Sequence, residues 1–299
     1  MLISVIIPTF NKIERLRLTL CSLQQQQYQN YEIIIVDDGS DSQTQDYLSQ
    51  LQNTHLYERL RIIRQSNEGR SKARNIGAKN ATGDRLVFID DDVIVAPDFL
   101  NEHAKNNEVI LHGKIVTLSY LKFFRDPTKA IFYQELTTGI TKSINNLYNR
   151  SISQEDIYNS FYEKIATNNK ISRSEWLIQN VFENNFELLY WLGVTGGNFS
   201  IDRKLFFEIG GFDESYGKVW GYEDFDLGYR LLRYGCHFDY NTFAIGYHIA
   251  HYRILEDIYN QNAMKFIANF PNDIYIKIVI KYLCGSISQK EINELIRNF

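Results

Sequence analysis

Residues 85–100 read RLVFIDDDVIVAPDFL: an apolar run, LVFI (86–89), stops abruptly at Asp90, Asp91 and Asp92. A short run with no polar face, bounded by polar residues, is the pattern of a strand buried on both sides. Three adjacent carboxylates at its end repel one another and are costly unless a cation neutralises them. If the strand persists through the triplet, Asp90 and Asp92 face one side and Asp91 the other. An Asp-x-Asp pair then suits a hard divalent ion such as Mg²⁺ or Mn²⁺, with Asp91 left to contact a ribose or solvent.

Outward from this strand, strand and helix alternate. LISVIIP (2–8), YEIIIVD (31–37) and LRIIRQ (60–65) repeat the buried-strand pattern. Residues 12–27 place Leu16, Leu20 and Leu23 at helical spacing, and a second helix over 43–51 follows the cap-rich DDGSDS. NEGRSKARNIGAKNATG (67–83) is expected to form a helix with Ala73, Ile76 and Gly77 on its packing side. This alternation predicts an α/β fold, with a Rossmann-like, mainly parallel sheet flanked by helices. Such sheets bind ligands beyond the carboxyl ends of their strands. PTFN (8–11), DDGS (37–40) and DDD (90–92) stand at three of those ends and converge on one edge. Turn and cap chemistry suffices for Ser40 and Asp41; the aspartate triplet asks for more.

Residues 118–190, rich in Asn, Tyr and Phe, read as a mostly helical insertion packed on the same domain. Signals are dense again over 192–252. A short helix over 202–209 ends at Gly210 and Gly211, and GYEDFDLGYRLLRYG (221–235) forms a longer one with an acidic first turn. Glu223, Asp224 and Asp226 complement the helix dipole, which accounts for Asp226. The Glu223–Asp224 pair also offers carboxylates for acid–base work. His248 and His251 lie three apart around a strand, so one of them at most joins an acidic metal site. The tail, 255–299, reads as helical, with a Ser288–Glu291 capping box. Its IYIKIVIKYL (274–283) leaves lysines on one side and is expected to dock on the domain in preference to a membrane surface.

Composition sets outer bounds. At 44% hydrophobic and 23% charged residues the chain has the make-up of a soluble globular protein. A net charge of −4 gives no argument for nucleic acid or an anionic membrane. Cys21, Cys236 and Cys284 are too scattered for a disulfide framework or a zinc cluster. No apolar run spans a bilayer, and MLISVIIPTF lacks the basic region of a signal peptide. A cytoplasmic protein is expected, with peripheral membrane contact left open.

Taken in order, SVIIPTFN, IIIVDDGSDS, GRSKARNIGAKNATGD, FIDDD, TGGNFSIDRKLFFEIGGFDE and WGYEDFDLGYRLLRYG resemble glycosyltransferase family 2, whose members have the GT-A fold. The resemblance implies a GT-A catalytic domain over 1–254, with a nucleotide-binding half (1–100) and an acceptor half (192–252), followed by the tail. It implies a nucleotide-sugar donor, most often a UDP-sugar, and a glycan, lipid-linked or protein acceptor. Pro8, Thr9 and Asn11 would line the nucleotide pocket, Asp37 or Asp38 would hold the uracil edge, and Arg74 would lie against the base. Asp92 would ligate Mn²⁺ or Mg²⁺, with Asp90 or Asp91 helping to hold the sugar nucleotide. His248, by its place after the final strand, would complete the metal set, with His251 as second choice. Asp224 would be the base of an inverting enzyme, Glu223 and Trp220 would contact the sugars, and Gly196, Gly197 and Asn198 would form the loop beside the transferred sugar. The GGFDE and WGYED stretches also resemble retaining transferases that modify polypeptides; inversion is the family's own course.

Two other classes use similar residues. A metal-dependent phosphohydrolase or nucleotidyltransferase would employ the same aspartates, although neither GxxxxGK[ST] nor GxGxxG occurs. A non-catalytic nucleotide-sugar-binding module would have no use for the Glu223–Asp224 pair.

Overall fold

The computed structural model of the chain describes residues 1–52, 58–105, 110–118, 152–166, 171–249 and 261–297. The expectations for most of the insertion, for the first residues of the tail and for His251 lie outside the described residues.

The N-terminal half alternates as its sequence pattern requires: β1 (Ile3–Thr9), α1 (Ile13–Gln24), β2 (Tyr31–Asp37), α2 (Ser42–Gln52), β3 (Leu60–Arg64), α3 (Arg70–Asn80) and β4 (Arg85–Phe88). The four strands are parallel, in the spatial order β3-β2-β1-β4. Leu16, Leu20 and Leu23 of α1 are fully buried on one face of the sheet. On the other face α3 approaches so closely that a Cβ on Gly77 would lie 2.5 Å from Ile6 Cγ2. Glycine at that position is what lets the helix sit directly on β1.

Beyond β4 the sheet becomes mixed. β7 (Phe199–Asp202) runs antiparallel to β4, and β6 (Ile110–Leu118), β8 (Phe238–Ile249) and β5 (Val93–Val95) complete the order β4-β7-β6-β8-β5. β4 is central and β5 is the far edge, yet only residues 89–92 join them. The link turns: Val93 N–H donates to the Asp90 carbonyl at 3.2 Å. A sheet whose middle and edge are joined by so short a turn must curl, and the three aspartates stand where it closes. They do not extend β4, as an alternating Asp-x-Asp would require.

α4 (Phe99–Ala104) packs on β8. Of the insertion, α5 (Gln154–Asn159) lies against α1, while α6 (Arg173–Glu183) and a 3₁₀ turn (Glu187–Gly193) support the C-terminal half. α7 (Arg203–Glu208) and α8 (Glu223–Tyr234) follow, then the tail helices α9 (Gln261–Asn269), α10 (Ile274–Leu283) and α11 (Gln289–Arg297). The tail docks as expected. Ile276, Val279 and Tyr282 of α10 join Trp191, Leu177 and Phe266 in one apolar core. Ser288 and Glu291 close their capping box at 2.7 and 3.2 Å. Among the described residues no helix is long and apolar enough to cross a membrane.

Candidate active site

At the carboxyl edge of β1, β2 and β4 lies an open cavity of about 370 Å³. Pro8, Thr9, Asp38, Asp90, Asp91, Asp92 and Trp220, all singled out in the sequence, line it. Phe10, Lys12, Asn67, Gly69, Arg70 and Lys218 line it too. None of those six is among the sequence-based site candidates, although Phe10, Gly69 and Arg70 lie within stretches that carry the family resemblance. Phe10 was the most legible of them, as an aromatic inside the PTFN turn, and it stays 43% exposed. The cavity therefore combines flat apolar faces, Phe10 and Trp220, with an acidic wall and three cations.

Because the triplet turns, its carboxylates fan out in three directions. Asp90 Oδ1 accepts from Arg74 Nη2 at 2.9 Å. Asp91 Oδ2 accepts from the Thr9 hydroxyl at 2.7 Å, and its Oδ1 lies 3.4 Å from Lys12 Nζ. Asp92 Oδ2 faces Lys12 and Arg15, each at 3.4 Å, while its Oδ1 faces His248 Nε2 at 3.5 Å. Burial pushes the Asp91 carboxyl up to about 6, with Asp92 and Asp90 adding to the rise and the Lys12 ammonium and Thr9 hydroxyl opposing it. Burial acts on Asp90 in the same direction, but there the Arg74 guanidinium wins and holds the carboxyl below its ordinary value. Asp91 is buried and hydrogen-bonded, not solvated. His248 lies within β8, not after it: the β5–β8 register sets it opposite Val93, which brings its ring to Asp92.

A second cluster adjoins the first through Arg74. This guanidinium, 1% exposed, reaches Glu223 Oε1 at 3.1 Å and Asp224 Oδ1 at 2.9 Å as well as Asp90. It also stacks over the Phe212 ring at 5.2 Å. Glycine at 196 makes room for it: a Cβ there would lie 2.0 Å from Arg74 Nη2. The Gly196 N–H donates to Asp224 Oδ2 at 2.8 Å. Burial pushes the Asp224 carboxyl up to about 7, with Glu223 and Asp90 adding to it and Arg74 and the Gly196 N–H opposing. The Asp224 side chain nevertheless keeps 23% exposure, so it remains reachable. Two non-glycine residues hold left-handed backbone beside these clusters, Asn11 (φ 55°) before α1 and Tyr222 (φ 71°) before α8. Such conformations cost about 1–3 kcal/mol each and persist only where the surroundings enforce them.

Several expected contacts are corrected by the packing. Arg74, expected against a base, is instead enclosed by three carboxylates and an aromatic ring. Asp37 is fully buried, accepts from Ser40 N–H at 2.9 Å and faces Arg64, away from the cavity. Asp38 lines the cavity, but its carboxylate accepts from Gln65 Nε2 and the Glu68 and Gly69 amides at 2.6, 2.8 and 2.9 Å, which moulds the loop before α3. Asn11 ties two loops, donating through its N–H to Ser40 Oγ and accepting from Asp41 N–H. Glu223, expected to contact the sugars, is 1% exposed, with its carboxylate on Arg74 at 3.1 Å and facing Arg70 at 3.8 Å. Gly197 has room beside Asp90, whereas Asn198 is fully buried, pairing with His103 at 2.9 Å and donating to the Ala244 carbonyl at 2.9 Å. Asp41 is the helix cap it was expected to be, accepting from Thr44 N–H at 2.9 Å.

Comparison with known proteins agrees with this architecture. Residues 4–210 match the family described as glycosyl transferase family 2, and residues 179–253 match one described as the N-terminal domain of galactosyltransferase. The uncharacterized glycosyltransferase YfnE of Bacillus subtilis (strain 168) is 29% identical over 261 residues, which is 83% of this chain and 64% of YfnE. The chain thus spans somewhat under two thirds of that relative. Among solved structures, S. aureus TarS 1-349 in complex with UDP-GlcNAc superposes with a TM-score of 0.56 at 16% identity, covering 95% of this chain and 71% of that one. The mannosyltransferase PcManGT from Pyrobaculum calidifontis, in complex with GDP-Man and Mn²⁺, gives 0.56 at 16%, covering 94% and 68%. The fold is that of the GT-A glycosyltransferases, and the chain belongs to glycosyl transferase family 2.

Proposed function

We propose that the protein transfers a sugar from a UDP-sugar to an acceptor hydroxyl on a glycan, a lipid-linked sugar or a protein, with inversion and with a divalent metal ion. The observation that carries this reading is the Arg74 hub. It sets the aspartate turn of the nucleotide edge and a carboxylate raised to about 7 on either side of one guanidinium. Neither a phosphohydrolase nor a passive binding module needs that second carboxylate. The inverting course is supported by the partly exposed Asp224 carboxylate standing apart from the aspartate turn, and the UDP preference by the family resemblance and by TarS.

The residues present fit a metal ion. Asp92 Oδ1 and His248 Nε2 are shielded from solvent and face each other at 3.5 Å. An oxygen and an imidazole nitrogen suit Mn²⁺ better than the all-oxygen preference of Mg²⁺. Among the described residues no group of three His, Cys, Asp or Glu side chains forms a cage, so phosphate oxygens and water would supply the remaining ligands. An ion held by Asp92 and His248 would supply Lewis-acid stabilisation of the departing diphosphate.

The chain's own groups do the rest. Phe10 and Trp220 offer faces for the uracil and the sugars. Arg70, Lys218 and Lys12 attract the diphosphate into the cavity. Asp224, poised near neutral pH, accepts the proton of the acceptor hydroxyl as its oxygen attacks the anomeric carbon, much as the base of an inverting glycosidase acts on water. Arg74 and the Gly196 N–H hold both Asp224 oxygens, which orients the carboxylate.

Calorimetric titration of UDP and a panel of UDP-sugars, with and without Mn²⁺, on wild type and Asp92→Ala tests the donor half. Metal-dependent binding that is lost in the variant is the expected result, and the tightest sugar names the donor. No UDP binding under either condition would overturn the donor assignment.

A further inference from the structure

The Asp91–Asp92 pair is already matched by cations of the chain itself. Lys12 Nζ bridges the two carboxylates, 3.4 Å from Asp91 Oδ1 and 3.4 Å from Asp92 Oδ2. Arg15 Nη1 lies 3.4 Å from the same Asp92 oxygen. The two carboxylates are 5% and 2% exposed, so they are largely shut off from solvent screening, whereas the Lys12 side chain is 35% exposed and lines the cavity. Asp90, the third acid, is engaged by Arg74 on the other side. Two buried carboxylates and two nearby cations leave this corner close to electroneutral. A dication entering alone would meet the ammonium and guanidinium at close range and gain little. A nucleoside diphosphate brings negative charge that compensates the dication and also offers Lys12 a new partner within the cavity.

We propose that Lys12 is an internal counter-cation. It neutralises the Asp91–Asp92 pair while the nucleotide is absent and swings to the diphosphate when the nucleotide arrives, so the metal ion and the nucleoside diphosphate bind as a coupled pair. Lys12 is suited to this exchange because it is a compact charge on a flexible stem. It follows the strained Asn11 turn, which fixes its backbone, so the motion is confined to the side chain. Arg15, 17% exposed and inside α1, stays with Asp92 throughout. The inference rests on the placement of the ion at Asp92 and His248.

The test is calorimetry of Mn²⁺ alone, of UDP alone, and of each in the presence of the other, on wild type, Lys12→Met, Lys12→Arg, Asp92→Ala and His248→Ala. Wild type should bind Mn²⁺ weakly alone and about tenfold or more tightly with UDP, and the same factor must appear when UDP is titrated with and without Mn²⁺. Lys12→Met should bind Mn²⁺ alone about tenfold more tightly and lose most of the coupling, while Lys12→Arg keeps the wild-type pattern. Unchanged or weaker Mn²⁺ binding by Lys12→Met, with Asp92→Ala and His248→Ala both losing the ion, would overturn the counter-cation role and leave the site reading intact. Mn²⁺–UDP binding that survives in both Asp92→Ala and His248→Ala, or is absent from wild type, would overturn the site reading and the counter-cation with it.

Discussion

Arg74 Nη1 and Asp224 Oδ1 meet at 2.9 Å although 150 positions separate them in the chain. The same guanidinium holds Asp90 at 2.9 Å, so one buried cation joins the aspartate turn to the proposed base. Its charge offsets the mutual repulsion of three carboxylates, and its own burial is compensated by them. Coulombic attraction from Asp224, Asp90 and Glu223 outweighs that burial and raises the guanidinium above its already high value, so it stays charged throughout.

Arg74→Met should therefore lose about 3–5 kcal/mol of stability, since removing one partner of a buried charge cluster leaves the others uncompensated. Arg74→Lys should recover only part of this, because one ammonium cannot reproduce the planar fork. Urea denaturation of the three proteins measures both.

The rate of donor turnover should fall as pH drops below about 7, because the base must be ionised and Asp224 takes up its proton there. Glu223→Gln removes a neighbour that raises the Asp224 value, so the acidic limb of kcat/KM should move to lower pH. Asp224→Asn should abolish the limb and reduce kcat by roughly 10²–10⁴-fold with UDP affinity retained. A pH profile of the three proteins decides this.

Gly69→Ala should be worse tolerated than Gly77→Ala. At Gly69 φ is +99°, and a Cβ would lie 2.0 Å from the Gly217 carbonyl oxygen, which is backbone; at Gly77 the nearest atom, at 2.5 Å, is a methyl of Ile6. Overpacking of the second kind costs about 1–3 kcal/mol. Thermal unfolding should rank the two variants in that order, and only Gly69→Ala should also weaken UDP, because Gly69 lines the cavity.

Phe10→Ala should weaken UDP by about 1–3 kcal/mol, the range for an aromatic–base stack, with little change in Tm because Phe10 is 43% exposed. Unaltered UDP affinity in a titration would move the base to another wall of the cavity.

Phe266→Ala should destabilise the protein by about 3–5 kcal/mol, since Phe266 is fully buried against Trp191 at a ring separation of 5.6 Å. Equilibrium unfolding is the measurement. A loss that small exposed-face substitutions do not match would tie the tail helices to the stability of the catalytic fold.

Much of this protein was legible from residue pattern alone. Apolar runs ending in PTFN, DDGS and DDD define buried parallel strands with polar carboxyl ends, and Leu16, Leu20 and Leu23 define the face that α1 buries. Those features are local: they follow from the periodicity of strand and helix and need no partner to be recognised. The candidates at 8, 9, 38, 90, 91, 92 and 220 all reach one cavity because they sit at strand and loop ends of a single sheet edge.

Only the tertiary structure decided which way each carboxylate points. The turn at 90–92 is imposed by β5 crossing to the far edge of a curled sheet, a long-range pairing that no window of sequence contains. It sends Asp90 to Arg74 and Asp92 to His248, where strand alternation would have put both on one side. Arg74 likewise looks like an ordinary helical arginine until β4, the Gly196 loop and α8 enclose it. Charge balance in a buried site is set by neighbours distant in sequence, through short-range Coulomb forces, and so it becomes visible only when the chain has closed around them.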